Sequence, residues 1–274
     1  MGSVKFRTYH EVAGTDVSDL AGQVGRQRQH VAKRLESIGR VVAVMSGKGG
    51  VGKSYVTAGL ALAASARGRS VGVLDADLAG PTVARMLQAA GPLTLDQAGV
   101  HPAIGTNGVR VFSTDMLLGD GAPLRWKGEH NEPFVWRGAL DAGALREFLS
   151  DVVWGPLDLL LVDLPPGTDR LQDLAELVPN LAGVIAVTLP SQESERAVAR
   201  AMQAAVDAGL RLLGVVENMS GYLCPGCATT SPLFRGDAGQ TLALSFGVPL
   251  LEQVPFTPSI RPSGRPAVLT AVLP

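Results

Sequence analysis

Short blocks of consecutive apolar residues recur along the chain, each ending on a polar or glycine-rich step: Val41 to Val44, Val71 to Leu74, Leu159 to Val162, Val184 to Val187 and Leu212 to Val216. None of the blocks alternates apolar with polar. Unbroken runs of this length fit strands covered on both faces, as in a parallel sheet. Between them lie segments with helical spacing: Tyr55 to Arg67, Asp141 to Val153, Ser191 to Ala208 and Ala238 to Phe246. In the second of these Leu145, Phe148, Leu149 and Val152 share one side; in the third Ser191 and Ser194 are caps, with Glu193 and Glu195 in the first turn. Leu250 to Val254 reads as a last strand. The alternation predicts an α/β fold, a doubly wound, mostly parallel sheet with helices on both faces.

Two regions fall outside this rhythm. Residues 1–39 are polar and mixed and read as an amino-terminal extension, partly helical or disordered, with a helix expected over Val17 to Ile38. Residues 40–274 then form one domain. Between Gln88 and Trp136 the pattern weakens, leaving short pieces such as Val109 to Ser113. The phrases Pro123 to Gly128 and Pro133 to Gly138 echo each other around Glu129 to Glu132, which suggests a hairpin. The tail from Arg265 to Pro274 reads as a strand or short packed segment.

The first apolar block runs into Met45-Ser-Gly-Lys-Gly-Gly-Val-Gly-Lys-Ser54 and then into a helical segment. Strand, glycine loop and helix in that order make a phosphate cradle. The backbone N–H groups of Gly49, Gly50, Val51 and Gly52 can approach phosphate oxygens, and the helix start adds unpaired donors and a positive dipole end. Lys53 is placed to bridge the β- and γ-phosphates and the Ser54 hydroxyl to ligate Mg2+. This makes the domain one of the P-loop NTPase type, with ATP as the expected ligand.

Carboxylates at strand ends supply the rest. Asp75 and Asp77 follow one apolar strand, where open α/β sheets bind ligands; Asp77 is the candidate to hold the attacking water and Asp75 to support Mg2+ or the loop. Asp163 ends the run Leu159-Leu-Leu-Val162 and is expected to bind Mg2+ through a water, with the Gly167 amide beside the γ-phosphate.

Composition narrows the class further. A net charge of -1 argues against a broad nucleic-acid surface, which needs clustered lysine and arginine. No apolar run approaches the roughly 20 residues of a membrane span, and the first residues lack a signal-peptide core, so a cytoplasmic protein without membrane attachment is expected. Cys224 and Cys227 are the chain's two cysteines, spaced C-x-x-C. At this point a redox pair, half of a zinc or iron–sulfur site, and plain thiols all remain open. Two thiolates cannot complete a four-ligand site, so a metal reading needs a second copy of the chain.

The loop GKGGVGKS, with Lys48 as well as Lys53, resembles the deviant phosphate loop of the MinD, ParA and nitrogenase iron protein group. Together with LDADLAGPT, WRG, LDLLLVDLPPGT, VVENMSGYLCPGC and FGVPLLEQVPFTPSIR, in order over about residues 40–266, the chain resembles the Mrp (ApbC) family of iron–sulfur cluster carrier ATPases. The resemblance implies a homodimer in which Lys48 reaches the partner's nucleotide. It also implies a 4Fe–4S cluster on Cys224 and Cys227 at the dimer interface, Asn218 at the adenine with Pro255 beside the base, and transfer of the cluster from an upstream donor to apo iron–sulfur proteins. The chain departs from the family at Asp169, at Thr257 and in the thinned stretch Phe234 to Gly239, which bears on hydrolysis rate and regulation. A ParA- or MinD-like positioning ATPase and a zinc-bridged dimeric switch are the competing readings.

Overall fold

The computed structural model describes residues 20–78, 80–90, 93–113, 116, 125–127, 133–135, 143–178, 181–257 and 273, and side chains are not assigned for residues 20–24, 26–28, 125–127, 133–135, 143 and 144. In chain order the elements are α1 (Leu20–Leu35), β1 (Ile38–Ser46), α2 (Lys53–Ser65), β2 (Val71–Asp75), α3 (Val83–Met86), β3 (Thr94–Asp96), β4 (Gly99–His101), β5 (Ala103–Ile104) and β6 (Arg110–Ser113). They continue with β7 (Arg125–Lys127), β8 (Pro133–Val135), α4 (Gly143–Asp151), β9 (Leu157–Asp163), α5 (Leu171–Leu177), β10 (Leu181–Thr188), α6 (Gln192–Asp207), β11 (Leu212–Leu223), β12 (Thr230–Ser231), α7 (Ala238–Phe246) and β13 (Leu250–Phe256).

The main sheet runs β12-β11-β10-β1-β9-β2-β6-β5, with β13 also paired to β11. Its spine is parallel; β12 and β5 join their neighbours antiparallel. From β1 the chain moves outward to β2 and β6, returns to β9 beside β1, and crosses to β10 on β1's other side. The carboxyl end of β1 is therefore the reversal point at which such sheets bind ligands.

Burial on both faces explains the unbroken apolar runs. Val41, Ala43 and Met45 enter one core with Leu160, Val162, Phe148, Leu174 and Val198, while Val42 and Val44 enter a second with Leu159, Leu161, Val56 and Leu60. Successive strand residues point to opposite faces, so α1, α4, α5, α6 and α7 cover the first core and α2 and α3 the second. Val31 of α1 is fully buried in the first core, which joins this part of the extension to the domain.

Several boundaries differ from those expected. The first helix, expected to run to Ile38, ends at Leu35, because Ile38 already pairs with Leu157 as the start of β1; the expected start at Val17 lies outside the described residues. The helix expected to run to Val153 ends at Asp151, since Val153 donates its N–H to the Val100 carbonyl; the expected start at Asp141 lies outside the described residues. β11 runs to Leu223, well past the apolar stretch that announced it, because β13 and β12 pair with its polar end. The hairpin suggested by the echoed phrases forms, with Trp126 opposite Phe134. The tail expected to form a strand or packed segment, Arg265 to Pro274, lies outside the described residues apart from Leu273, which is buried in the second core.

Candidate functional site

The loop between β1 and α2 is shaped by contacts that exclude larger side chains. A Cβ on Gly47 would stand 2.1 Å from the Ala197 carbonyl carbon of α6, so glycine lets the loop leave the strand beneath that helix. Gly52 takes φ 81° as the cap of α2. The first turn of α2 carries no acidic residue and its cap no side-chain hydrogen bond. Its amino-terminal dipole and donors are thus left for an anion.

Asp163, fully buried at the end of β9, gathers the donors around this loop. Its Oδ2 accepts from Lys53 Nζ at 2.7 Å and from Ser54 Oγ at 2.6 Å, and its Oδ1 from Thr57 Oγ1 at 2.6 Å. The Lys53 ammonium, itself 5% exposed, offsets the buried carboxylate. The hydroxyl and carboxylate expected to share Mg2+ are therefore already in contact, and an oxygen-rich donor set of this kind fits that hard cation. Thr57 was not anticipated. Its signal was its place one turn after Lys53, on the same side of α2.

Asp77 follows β2 and lies 3.8 Å from Lys53 Nζ, with its side chain 15% exposed. Asp75 is instead sealed beneath the following loop. Its oxygens accept the N–H groups of Asp77, Thr82 and Val83 at 3.2, 3.0 and 3.1 Å, and the Ser113 hydroxyl. Of the two roles expected for it, support of the loop is the one these bonds describe. Burial first and the nearby Asp163 charge second push its pKa up to about 7, against the lowering effect of the Val83 N–H and Lys53.

Two residues expected to meet the nucleotide make contacts within the protein. The Gly167 amide, expected at the γ-phosphate, donates to the Ser46 carbonyl at 2.9 Å, because the loop after β9 folds against the end of β1. Asn218, expected at the adenine, is 4% exposed beneath the phosphate loop, where its Nδ2 donates to the Val51 carbonyl at 2.9 Å. Pro255 lies on β13 one residue beyond Val254, the partner of Asn218. Lys48 is half-buried, and its carbonyl accepts from the Ser46 hydroxyl at 3.0 Å.

The cysteines sit in the turn between β11 and β12. Cys224 exchanges backbone bonds with Thr229 and Ala228 at 3.0 and 2.9 Å, closing the turn, and both thiols are free, Cys224 half-buried and Cys227 exposed. The Thr229 hydroxyl, then its N–H, then the Cys224 thiol hold the Cys227 pKa below the ordinary thiol value. A thiolate is the form that ligates metal. Among the described residues no group of three or more His, Cys, Asp or Glu is placed to hold a metal ion, and no helix is long and apolar enough to cross a membrane.

Comparison with known proteins agrees with this geometry. A family described as NUBPL iron-transfer P-loop NTPase, within the ParA group, matches residues 37–271. The chain is 42% identical to the iron-sulfur cluster carrier protein of Saccharolobus solfataricus, covering 89% of this chain and 80% of that one. It is 41% identical to the cytosolic Fe-S cluster assembly factor CFD1 of Chaetomium globosum, covering 82% and 76%. Among solved structures, the nucleotide-binding protein in complex with ADP from Archaeoglobus fulgidus superposes with a TM-score of 0.70 at 33% identity, covering 85% and 88%. The cell division ATPase MinD of Pyrococcus furiosus shares the fold, with a TM-score of 0.50 at 22% identity over 85% and 87%.

Proposed function

The chain belongs to the NUBPL iron-transfer P-loop NTPase family, and from that premise we propose that it is an ATP-hydrolysing carrier of iron–sulfur clusters that works as a homodimer. One observation carries the reading: the turn between β11 and β12 supplies two thiols, Cys224 and Cys227, and no further ligand group accompanies them among the described residues. Half of a four-cysteine site per chain calls for a second chain. With two copies facing each other, four thiolates would hold one 4Fe–4S cluster as cargo, taken from an upstream donor and passed to apo iron–sulfur proteins.

The nucleotide site would do its work by positioning charge. Phosphates of ATP would rest on the amides of Gly49, Gly50, Val51 and Gly52 at the start of α2, and Lys53 would turn from Asp163 to the β- and γ-phosphates. Ser54, and Asp163 through a water, would hold Mg2+, which neutralises charge on the phosphates. Asp77 would orient the water whose oxygen attacks the γ-phosphorus as the bond to ADP breaks. Lys48 of the partner would meet the charge on the transferred group. The adenine would lie along the strand end at Pro255.

Anaerobic reconstitution with iron and sulfide tests the cargo. The expected result is a broad visible absorption and about four iron per two chains, lost in Cys224→Ala and Cys227→Ala. Protein purified without oxygen that holds zinc and takes up no sulfide would replace the carrier with a zinc-bridged switch.

A further inference from the structure

β11 touches both halves of the site. Asn218 lies on it six residues before Cys224, and its amide bonds the Val51 carbonyl at 2.9 Å. It also fills the space beside Gly52, where any Cβ would stand 2.1 Å from Nδ2. The phosphate loop and this strand are interlocked at one point, the peptide group joining Val51 to Gly52. That group is planar, and its C=O and N–H are the two ends of one dipole. A phosphate accepting the Gly52 N–H would polarise the Val51 C=O and strengthen its bond to Asn218, since hydrogen bonds in series reinforce each other.

The strand is held firmly up to this point, and its register with β13 breaks just after it. Glu217, 1% exposed, accepts the Gly239 N–H of α7 at 2.7 Å and the Gln253 side-chain amide of β13 at 2.8 Å. Asn218 pairs with Val254, but the next pair is Tyr222 with Phe256, so β11 spends four steps against two on β13. Met219 opens this bulge with φ 55°, a left-handed conformation that disfavours a residue with a side chain. Beyond it Tyr222 stacks on Phe256, ring centroids 6.4 Å apart, and the cysteine turn follows.

We propose that Asn218 is a positioning residue that couples occupancy of the phosphate loop to the geometry of the Cys224–Cys227 turn, through the Val51–Gly52 peptide and the hinge at Met219. The inference rests on the reading that this loop binds nucleotide and this turn carries the cluster. It accounts for what a base contact would not: an amide buried under the loop, on the strand that delivers the thiols. Both thiols are free and reachable by reagent, so the coupling is readable without cargo.

The test is the iodoacetamide alkylation rate of the two cysteines in reduced, cluster-free protein, with and without MgADP. Each protein is read at its own saturating ADP, fixed by direct binding, with light scattering on the same samples. In wild type, MgADP changes the rate several-fold; in Asn218→Ala, and in Asn218→Asp, which replaces the donor at nearly constant volume, the change disappears. Met219→Gly keeps the amide bond but loosens the hinge, and lowers the same ratio. A wild-type rate indifferent to ADP, variants that keep the full response, an undiminished ratio in Met219→Gly, or a response explained wholly by dimerisation would each overturn the proposal. Iron and sulfide loading of the wild type, measured separately, shows whether the carrier reading itself stands.

Discussion

Buried carboxylates set the site's response to pH, and Asp75 shows how. Its folded pKa of about 7 lies above the ordinary value of 3.8, so between these two values the folded state holds a proton that the unfolded state has lost. Stability therefore falls as pH rises from about 4 to about 7, and the full penalty, on the order of 4 kcal/mol at most, is present above that. Asp163 and Lys53 face this carboxylate together with the N–H groups of Val83 and Asp77. Asp75→Asn removes the titration but turns an amide group toward N–H donors, at a cost of about 1–3 kcal/mol. Urea unfolding of both proteins across this range should show the wild-type stability declining relative to the variant; parallel curves would mean that Asp75 does not titrate there.

At the scale of elements, the packing of α6 onto the loop after β1 makes the sharpest prediction. Gly47→Ala would push a methyl group into the backbone of Ala197 and Val198, with contacts of 2.1–2.4 Å. Neither backbone can retreat, because Val198 and Ala201 are fully buried in the core beneath. The variant should lose about 3 kcal/mol or more in thermal or urea unfolding, together with nucleotide affinity; wild-type stability would show that α6 gives way. The same elements show what the sequence makes legible. A parallel strand buried on both faces has to be an apolar run, and a phosphate loop has to be glycine-rich, so β1, β9 and the loop between β1 and α2 announce themselves. The hold of Thr57 on Asp163, of Ser113 on Asp75 and of Asn218 on Val51 joins residues 106, 38 and 167 positions apart. No local pattern encodes such contacts. The apolar run of β11 understates its length because Glu217, Asn218 and Ser220 interrupt it, although β13 and β12 continue its ladder.

At the scale of the whole molecule, the proposed homodimer rests on two features of the described residues. The cysteine turn offers two ligands, and Lys48, half-buried in the phosphate loop, is proposed to act on the partner's nucleotide. Mixing two inactive variants separates action in trans from action in cis. Lys53→Ala loses its own phosphate grip but keeps Lys48; Lys48→Ala keeps the grip but lacks the second lysine. In a two-fold dimer formed by random exchange, about half of the pairs are mixed and each has one complete site, so ATP hydrolysis should return to about a quarter of the wild-type rate. If Lys48 acts within its own chain, every site in the mixture lacks one lysine and the rate stays at the background of the separate variants. A recovered rate that rises with total protein concentration would further tie hydrolysis to association, because dilution separates the pair that completes the site.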